Sequence, residues 1–310
     1  MGDTIQPEAR HVPVFSQEIA WWLVRQGPMV IVDCTVGYGG HAEMLLSNSD
    51  SATKVIGLDQ DPQAVAFSRQ RLMGFGERVI VRKGNYREVK GHLAALGVSK
   101  VDGVLFDLGV SSPQLDDAAR GFSFRLDGPL DMRMDQTTGT TAAELVNSSQ
   151  EHELADMIFQ FGEERYSRRI ARAIVRARVQ SPIETTGALA SLVAGAVPSS
   201  YRHGRIHCAT RTFQALRIAV NRELEGLAPS LQDAADLLAP GGRMCVISFH
   251  SLEDRIVKHT FRSLAQGSDV CFSLPTKKPI VPSEQECAVN PRARSAKLRV
   301  IERVLERMDS

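Results

Sequence analysis

The stretch from Met29 to Asp61 limits what this chain can fold into more than any other. Met29 to Val32 is an apolar run that predicts a fully buried strand, and it ends on a carboxylate, Asp33. Gly37, Gly39 and Gly40 follow, then a helical pattern from about His41, then a second apolar strand, Val55 to Leu58, ending on Asp59. Strand, glycine turn, helix, strand, acid is the layout of a nucleotide-type cofactor site. Glycines let the backbone pass close to a ligand with no Cβ in the way. An acid at the tip of the second strand can accept both hydroxyl protons of an adenosine ribose.

That layout alone leaves the cofactor open. A dinucleotide fingerprint reads G-x-G-x-x-G, whereas Gly37-Tyr38-Gly39-Gly40-His41 has no glycine where the third belongs. Asp33, just ahead of the turn, suits a ligand with a cationic amino-acid end better than an anionic pyrophosphate. The local residues therefore favour S-adenosylmethionine over a dinucleotide or a purely structural turn.

The strand–helix alternation continues. Pro62 opens a helix over Gln63 to Met73, Val79 to Arg82 forms a third strand, Glu88 to Leu96 a helix, and Val101 to Leu108 a fourth buried strand reaching Asp107. Such spacing indicates βαβ units and a mostly parallel sheet. Right-handed crossovers then bring the strand ends, with Asp33, Asp59 and Asp107, to one ligand-binding edge. From Ser111 to about Asn221 the alternation stops. Helical patterns at Gln150 to Gln180, Gly187 to Val197 and Thr210 to Leu227 predict an inserted helical domain over residues 113–221, between a cofactor-binding domain split into 1–112 and 222–310. The alternation resumes with a helix at Ser230 to Leu238, a turn at Ala239 to Gly242, a strand at Arg243 to Phe249 and a helix at Ser251 to Leu264. Strands follow at Asp269 to Leu274 and Lys297 to Leu305, and prolines keep Thr276 to Asn290 a loop. Ahead of all this, His11 to Leu23 predicts an extended lead-in and a helix capped by Ser16, with Trp21 and Trp22 as packing residues.

Composition excludes several classes. No apolar run approaches the roughly 18 residues of a membrane span, and the N-terminus has no apolar signal core. The five cysteines form no C-x-x-C pair, which argues against a zinc site or a disulfide framework and fits a reducing cytoplasm. Cys34 and Cys245 fall in apolar strands and read as small buried side chains. The net charge of +1 hides an asymmetry: Arg165 to Arg217 holds ten arginines, no lysine and a single acid, Glu184. That segment faces an anion.

Longer motifs carry a resemblance. Beside the glycine turn stand Gly57-Leu58-Asp59-Gln60-Asp61-Pro62, Asp107-Leu108-Gly109-Val110-Ser111-Ser112-Pro113-Gln114-Leu115-Asp116 and Arg120-Gly121-Phe122-Ser123-Phe124. Gly128-Pro129-Leu130-Asp131-Met132-Arg133-Met134-Asp135, Ala209-Thr210-Arg211-Thr212-Phe213-Gln214-Ala215, Ser248-Phe249-His250-Ser251-Leu252-Glu253-Asp254-Arg255 and Asn290-Pro291-Arg292-Ala293-Arg294-Ser295 complete the set. From about His11 to Glu302 the chain resembles bacterial small-subunit ribosomal RNA cytosine-N4 methyltransferases, the RsmH or MraW family. Tyr38, Tyr86 and Cys208 depart from common residues of that family without removing a polar group the chemistry needs. The resemblance implies a class I methyltransferase fold, a seven-stranded sheet with a helical insertion, S-adenosylmethionine as cofactor, and a cytidine near the decoding centre as substrate. It places cofactor contacts on Gly39, Gly40, His41 and Asp59, Tyr86 against the adenine, and Asp107 and Gln114 beside the methionine end. A homodimer is left open.

Methyl transfer to an exocyclic amine needs no metal, because the cofactor brings the activated group. The protein must align the amine, exclude water and handle a proton. Asp107 is the candidate for orienting cofactor or amine. His250, after the fifth strand, is a candidate for base contact or proton handling, and equally a helix-entry residue held by Ser251 or Glu253. Asp131, Arg133 and Asp135 alternate and so share one face of an extended segment, which favours a salt-bridged loop closing the cleft over direct catalysis. Arg165, Arg168, Arg169, Arg172 and Arg176 recur at spacings of three and four, where like charges repel unless an anion is bound. With Arg211 they are the candidate RNA contacts. A nicotinamide oxidoreductase and a non-catalytic RNA-binding factor are the competing classes.

Overall fold

A computed structural model describes residues 13–202, 204, 206–267 and 271–304. The chain divides into two compact units, one running to Gly109 and resuming at Gly226, the other spanning Val110–Glu225. In the first, β1 (Val30–Asp33), β2 (Lys54–Asp59), β3 (Val79–Lys83), β4 (Val101–Asp107), β5 (Leu238–Ser248), β6 (Phe272–Ser273) and β7 (Lys297–Arg303) form one sheet in the order β3-β2-β1-β4-β5-β7-β6. The first five strands are parallel; β7 runs antiparallel to both β5 and β6.

The apolar runs are continuous because both sheet faces are covered. Successive side chains point to opposite sides. Ile31, Val55, Leu105 and Cys245 pack into a core with the helices Ser16–Leu23 and Gly40–Asn48. Val32, Ile56, Phe106 and Val246 pack into another with Val89–Ala94, Leu227–Leu237 and Ser251–Gln266. Cys34 and Cys245 are buried free thiols.

Several boundaries differ from the sequence expectation, each for a local reason. Ser16 does not cap the first helix: Phe15, at φ 57°, precedes it, and the Ser16 hydroxyl donates to the Pro13 carbonyl at 2.6 Å. Trp22 packs in the core, whereas Trp21 is exposed. Ala239 to Gly242 is no free turn but the start of β5, absorbed by a register shift against Val101 and Gly103 of β4. Within the expected loop, Glu284–Val289 is helical, started by a Ser283 hydroxyl that accepts from Glu286 N–H. Of the segment expected from Asp269 to Leu274, Phe272–Ser273 is the part that pairs as a strand among the described residues. His11, Asp269 and Leu305, parts of expected segments, lie outside the described residues.

The second unit is helical around its own core, with Leu154, Ile158, Ile170, Ile174, Leu189, Val193, Phe213 and Leu216 buried together. The single helical pattern Gln150 to Gln180 is two helices, Glu151–Gly162 and Ser167–Arg178, broken at Glu163, which adopts φ 50°. The pattern from Thr210 likewise stops at Asn221, where Arg222 takes φ 52°. Arg120 is almost wholly buried and donates to the carbonyls of Arg133 and Met134 at 3.1 and 2.9 Å. Arg133 in turn clamps Asp131 through two 2.8 Å bonds, and Asp135 accepts from Thr137, so this acidic–basic loop is held by its own charges. Burial opposes ionisation of Asp131, but hydrogen bonds from Arg133 outweigh it and lower the pKa.

Candidate active site

β1 stops two rungs short of its neighbours. Asp33 lies opposite Gly57 of β2 and Leu105 of β4, so Asp59 and Asp107 each sit two residues further along. From β1 the chain builds outward to β2 and β3, then returns to β4 on the other side. That reversal makes the carboxyl ends of β1 and β4 the switch point where open α/β sheets bind ligands.

The turn after β1 is pinned from both sides. Asp59 Oδ2 accepts from Gly37 N–H at 2.8 Å and Oδ1 from Asp61 N–H at 2.9 Å. On the other side the Thr35 hydroxyl accepts from Asp107 N–H at 2.6 Å, and Thr35 N–H donates to Asp33 Oδ1 at 3.1 Å. Thr35 was not among the sequence candidates; a hydroxyl two residues past a strand-ending acid was the available signal. Gly39, at φ 81°, precedes the helix Gly40–Asn48 in the left-handed region that glycine tolerates. At Gly40 the constraint is space, since a Cβ there would come within 2.6 Å of Pro13 Cγ.

The acids are electrostatically coupled. Burial pushes Asp33 up to about 7; His41 and the Thr35 N–H pull it down, and Asp107 and Asp59 push it further up. Asp59, half-buried, is raised to about 6, also by desolvation, against the N–H groups of Asp61 and Gly37. His41 is buried, with Nε2 3.5 Å from Asp107 Oδ2. Asp33 Oδ2, Asp107 Oδ1 and both ring nitrogens of His41 are buried yet have no hydrogen-bond partner among the described residues. Each such group costs about 1–3 kcal/mol, and a cluster of them marks a place built for a polar ligand. With the carboxyls of Asp33 and Asp107 beside one imidazole, the ligand that balances the charge is a cation. The cradle fits the ammonium and sulfonium of S-adenosylmethionine.

The remaining sequence candidates fall into three groups. Tyr86 begins a short turn after β3, its ring edge-on to Phe106 at 5.7 Å, while Asn85 bonds Gln60 at 2.8 Å. Gln114 closes a capping box with Ser111, its Oε1 accepting from Ser111 N–H at 2.9 Å. His250 is the N-cap of Ser251–Gln266: Nδ1 accepts from Glu253 N–H at 3.4 Å, and Nε2 lies 3.1 Å from Glu253 Oε1. Glu253 is therefore the partner that holds it.

On Ser167–Arg178 the apolar face is Ile170, Ala171 and Ile174, and Arg168, Arg169, Arg172 and Arg176 are exposed on the other. Arg168 and Arg176 have no hydrogen-bond or ion-pair partner among the described residues. Arg165, just before the helix, is exposed and lies between the rings of Tyr166 and Tyr201 at 4.8 and 4.9 Å. Other arginines of the segment are engaged within the unit. Arg172 reaches Glu151 at 3.4 Å, Arg178 and Arg211 bond the carbonyls of Val146 and Glu163, and Arg217 clamps Glu223.

Doubly wound sheets are ordinarily parallel throughout; a reversed strand inserted between the last two, beside an acid-tipped β2, defines the class I methyltransferases. Within that class the MraW methylase family model matches residues 8–304, and the chain belongs to that family. It is 52% identical to the ribosomal RNA small subunit methyltransferase H of Synechococcus elongatus, over 98% of this chain and 99% of that protein. The protein of the same name from Geobacter sulfurreducens is 51% identical over 95% and 99%. That from Syntrophotalea carbinolica is 50% identical over 95% and 98%.

Proposed function

We propose that the protein transfers a methyl group from S-adenosylmethionine to the exocyclic N4 amine of a cytidine in small-subunit ribosomal RNA, in the cytoplasm. The cluster of unpartnered buried atoms on Asp33, His41 and Asp107 supports this reading most directly. The cofactor, when bound, supplies a methyl already activated by a sulfonium centre. Asp59 keeps a second lone pair on each oxygen, and these would take the ribose hydroxyls. The backbone at Gly39, Gly40 and His41 would approach the cofactor, Tyr86 would cover the adenine, and Asp33 would face the methionine end with Gln114.

Asp107 is the residue assigned to the amine or the methionine end. The amino lone pair of cytosine is delocalised into its ring, and a carboxylate accepting one of its N–H bonds returns electron density to the nitrogen. His250 contributes by fixing the start of its helix, with proton handling secondary to that role. Arg165, Arg168, Arg169 and Arg172, with Arg211, would hold the RNA backbone while the target base is turned out of its stack.

Labelled-methyl transfer onto unmodified small subunits and onto deproteinised RNA, followed by nucleoside analysis, tests the reading. Label in N4-methylcytidine is the expected product. Label in another nucleoside, or none from either substrate, would overturn it.

A further inference from the structure

One strongly charged surface of the methyltransferase unit plays no part in the reading above. The helix Ser251–Gln266 buries Val257, Thr260 and Phe261, and on its outward side Arg255, Lys258, His259 and Arg262 recur at spacings of three and four. Across that run, Arg255 to Arg262 spans about 10 Å of helix. Lys258, Arg262, Lys277 and Arg299 line one groove, floored by Phe261, Leu274 and Val300. Lys277 and Lys278, after β6, are exposed. From Arg255 to Ser283 the sequence holds five lysines and arginines against one acid, Asp269, which lies outside the described residues.

Several cations elsewhere in this unit are paired with acids. Lys90 sits between Asp233 and Asp236 at 2.7 and 2.8 Å, Arg71 holds Glu43, and Arg25 reaches Asp102. Arg243 reaches Glu302, and Lys297 and Arg299 share Asp254 at 3.0 and 2.7 Å. Lys258, Arg262, Lys277 and Lys278, by contrast, have no hydrogen-bond or ion-pair partner among the described residues. Like charges at helical spacing repel, so an ordinary solvated face would interleave acids. The aliphatic stems lie over an apolar floor and leave the charged heads free, the arrangement that presents cations to a polyanion. The helix has no exposed large apolar side chain to enter a lipid surface.

We infer that the outward face of Ser251–Gln266, with Lys277 and Lys278, is a second contact surface for the phosphate backbone of the RNA substrate, carried by the methyltransferase unit itself. It adds to the arginines of the helical unit and rests on the reading of the substrate as RNA. Both lobes then grip the nucleic acid, and the sequence-independent part of its affinity is divided between them.

The test is the triple neutralisation K258S/R262S/K277S in the full chain, with K90S as a control that removes a paired cation. Binding to deproteinised small-subunit RNA and to unmodified small subunits is measured from 50 to 300 mM salt, beside cofactor binding by calorimetry. Each backbone contact contributes roughly 0.7–0.9 to the slope of log affinity against log salt. The triple variant is expected to lose about 2 from the slope on both substrates and to raise KM for subunits about tenfold, with kcat and cofactor affinity unchanged. K90S should match the unsubstituted protein. An unaltered slope in the triple variant would overturn the inference. So would a loss confined to assembled subunits, which would make the partner a ribosomal protein. Failure of the RNA reading itself would look different, because the unsubstituted protein would then show no salt-dependent binding.

Discussion

Asp33 controls the charge of the site. Its folded-state pKa, about 7, lies above the 3.8 of the exposed group because burial penalises the carboxylate. Between about pH 4 and 7 the unfolded chain gives up this proton while the folded chain keeps it. Stability therefore falls as pH rises through that window and is level above it, a cost of roughly 4 kcal/mol once both states are ionised. Asp33→Asn keeps an oxygen to accept from Thr35 and removes the charge. Its melting temperature should exceed that of the unsubstituted protein at pH 8, with less than half that gain at pH 5; equal melting at both pH values would contradict the assignment. The same carboxylate must ionise to meet a sulfonium or ammonium. Only about a tenth is ionised at pH 6, so cofactor affinity should be about tenfold weaker there than at pH 8. Calorimetry at the two pH values checks this, and Asp33→Asn should bind the cofactor at least tenfold more weakly at pH 8.

Among the elements, the loop between Arg120 and Asp135 is held together by bonds between its own residues. Arg120 ties the Arg133 and Met134 carbonyls from a buried position, and a Cβ at Gly121 would come within 2.3 Å of the Pro129 carbonyl oxygen. Arg120→Leu leaves two carbonyls without their donor, each worth about 1–3 kcal/mol, so it should destabilise the helical unit by roughly 2–6 kcal/mol in denaturant titration. A loss under 1 kcal/mol would show that the guanidinium is dispensable. The strands were legible beforehand, because a run such as Val104 to Phe106 is buried on both faces and reads as an unbroken apolar string. The acid tips Asp33, Asp59 and Asp107 were legible for the same reason, as the first charges after such runs. The break at Glu163 was not, since one residue in the left-handed region leaves the 3.6-residue periodicity on either side intact. Nor was the helix at Glu284–Val289, where a Ser283 cap overrides the surrounding prolines.

At the scale of the whole molecule, the reading predicts an enzyme whose grip on its RNA substrate is mostly electrostatic and weakens with salt. Arg168→Ala with Arg176→Ala removes two exposed, unpartnered charges from the helical unit. The salt slope of RNA binding should drop by about 1.5 and KM for small subunits should rise, while kcat at saturation stays constant. An unchanged slope would return those arginines to an ordinary solvated face. Sequence alone determined the alternation of strands and helices, the order in which acids and glycines reach one sheet edge, and the concentration of arginine in the insertion, because periodicity and composition are local properties of the chain. Only the tertiary structure decided which charges are used up inside the protein. Arg178 turns to the Val146 carbonyl and Arg217 to Glu223, His250 is held by Glu253, and Lys258 and Arg262 of Ser251–Gln266 stay free. Pairing depends on which side chains arrive at one point in space, and residues far apart along the chain, such as Arg211 and Glu163, carry no local sign that they will meet.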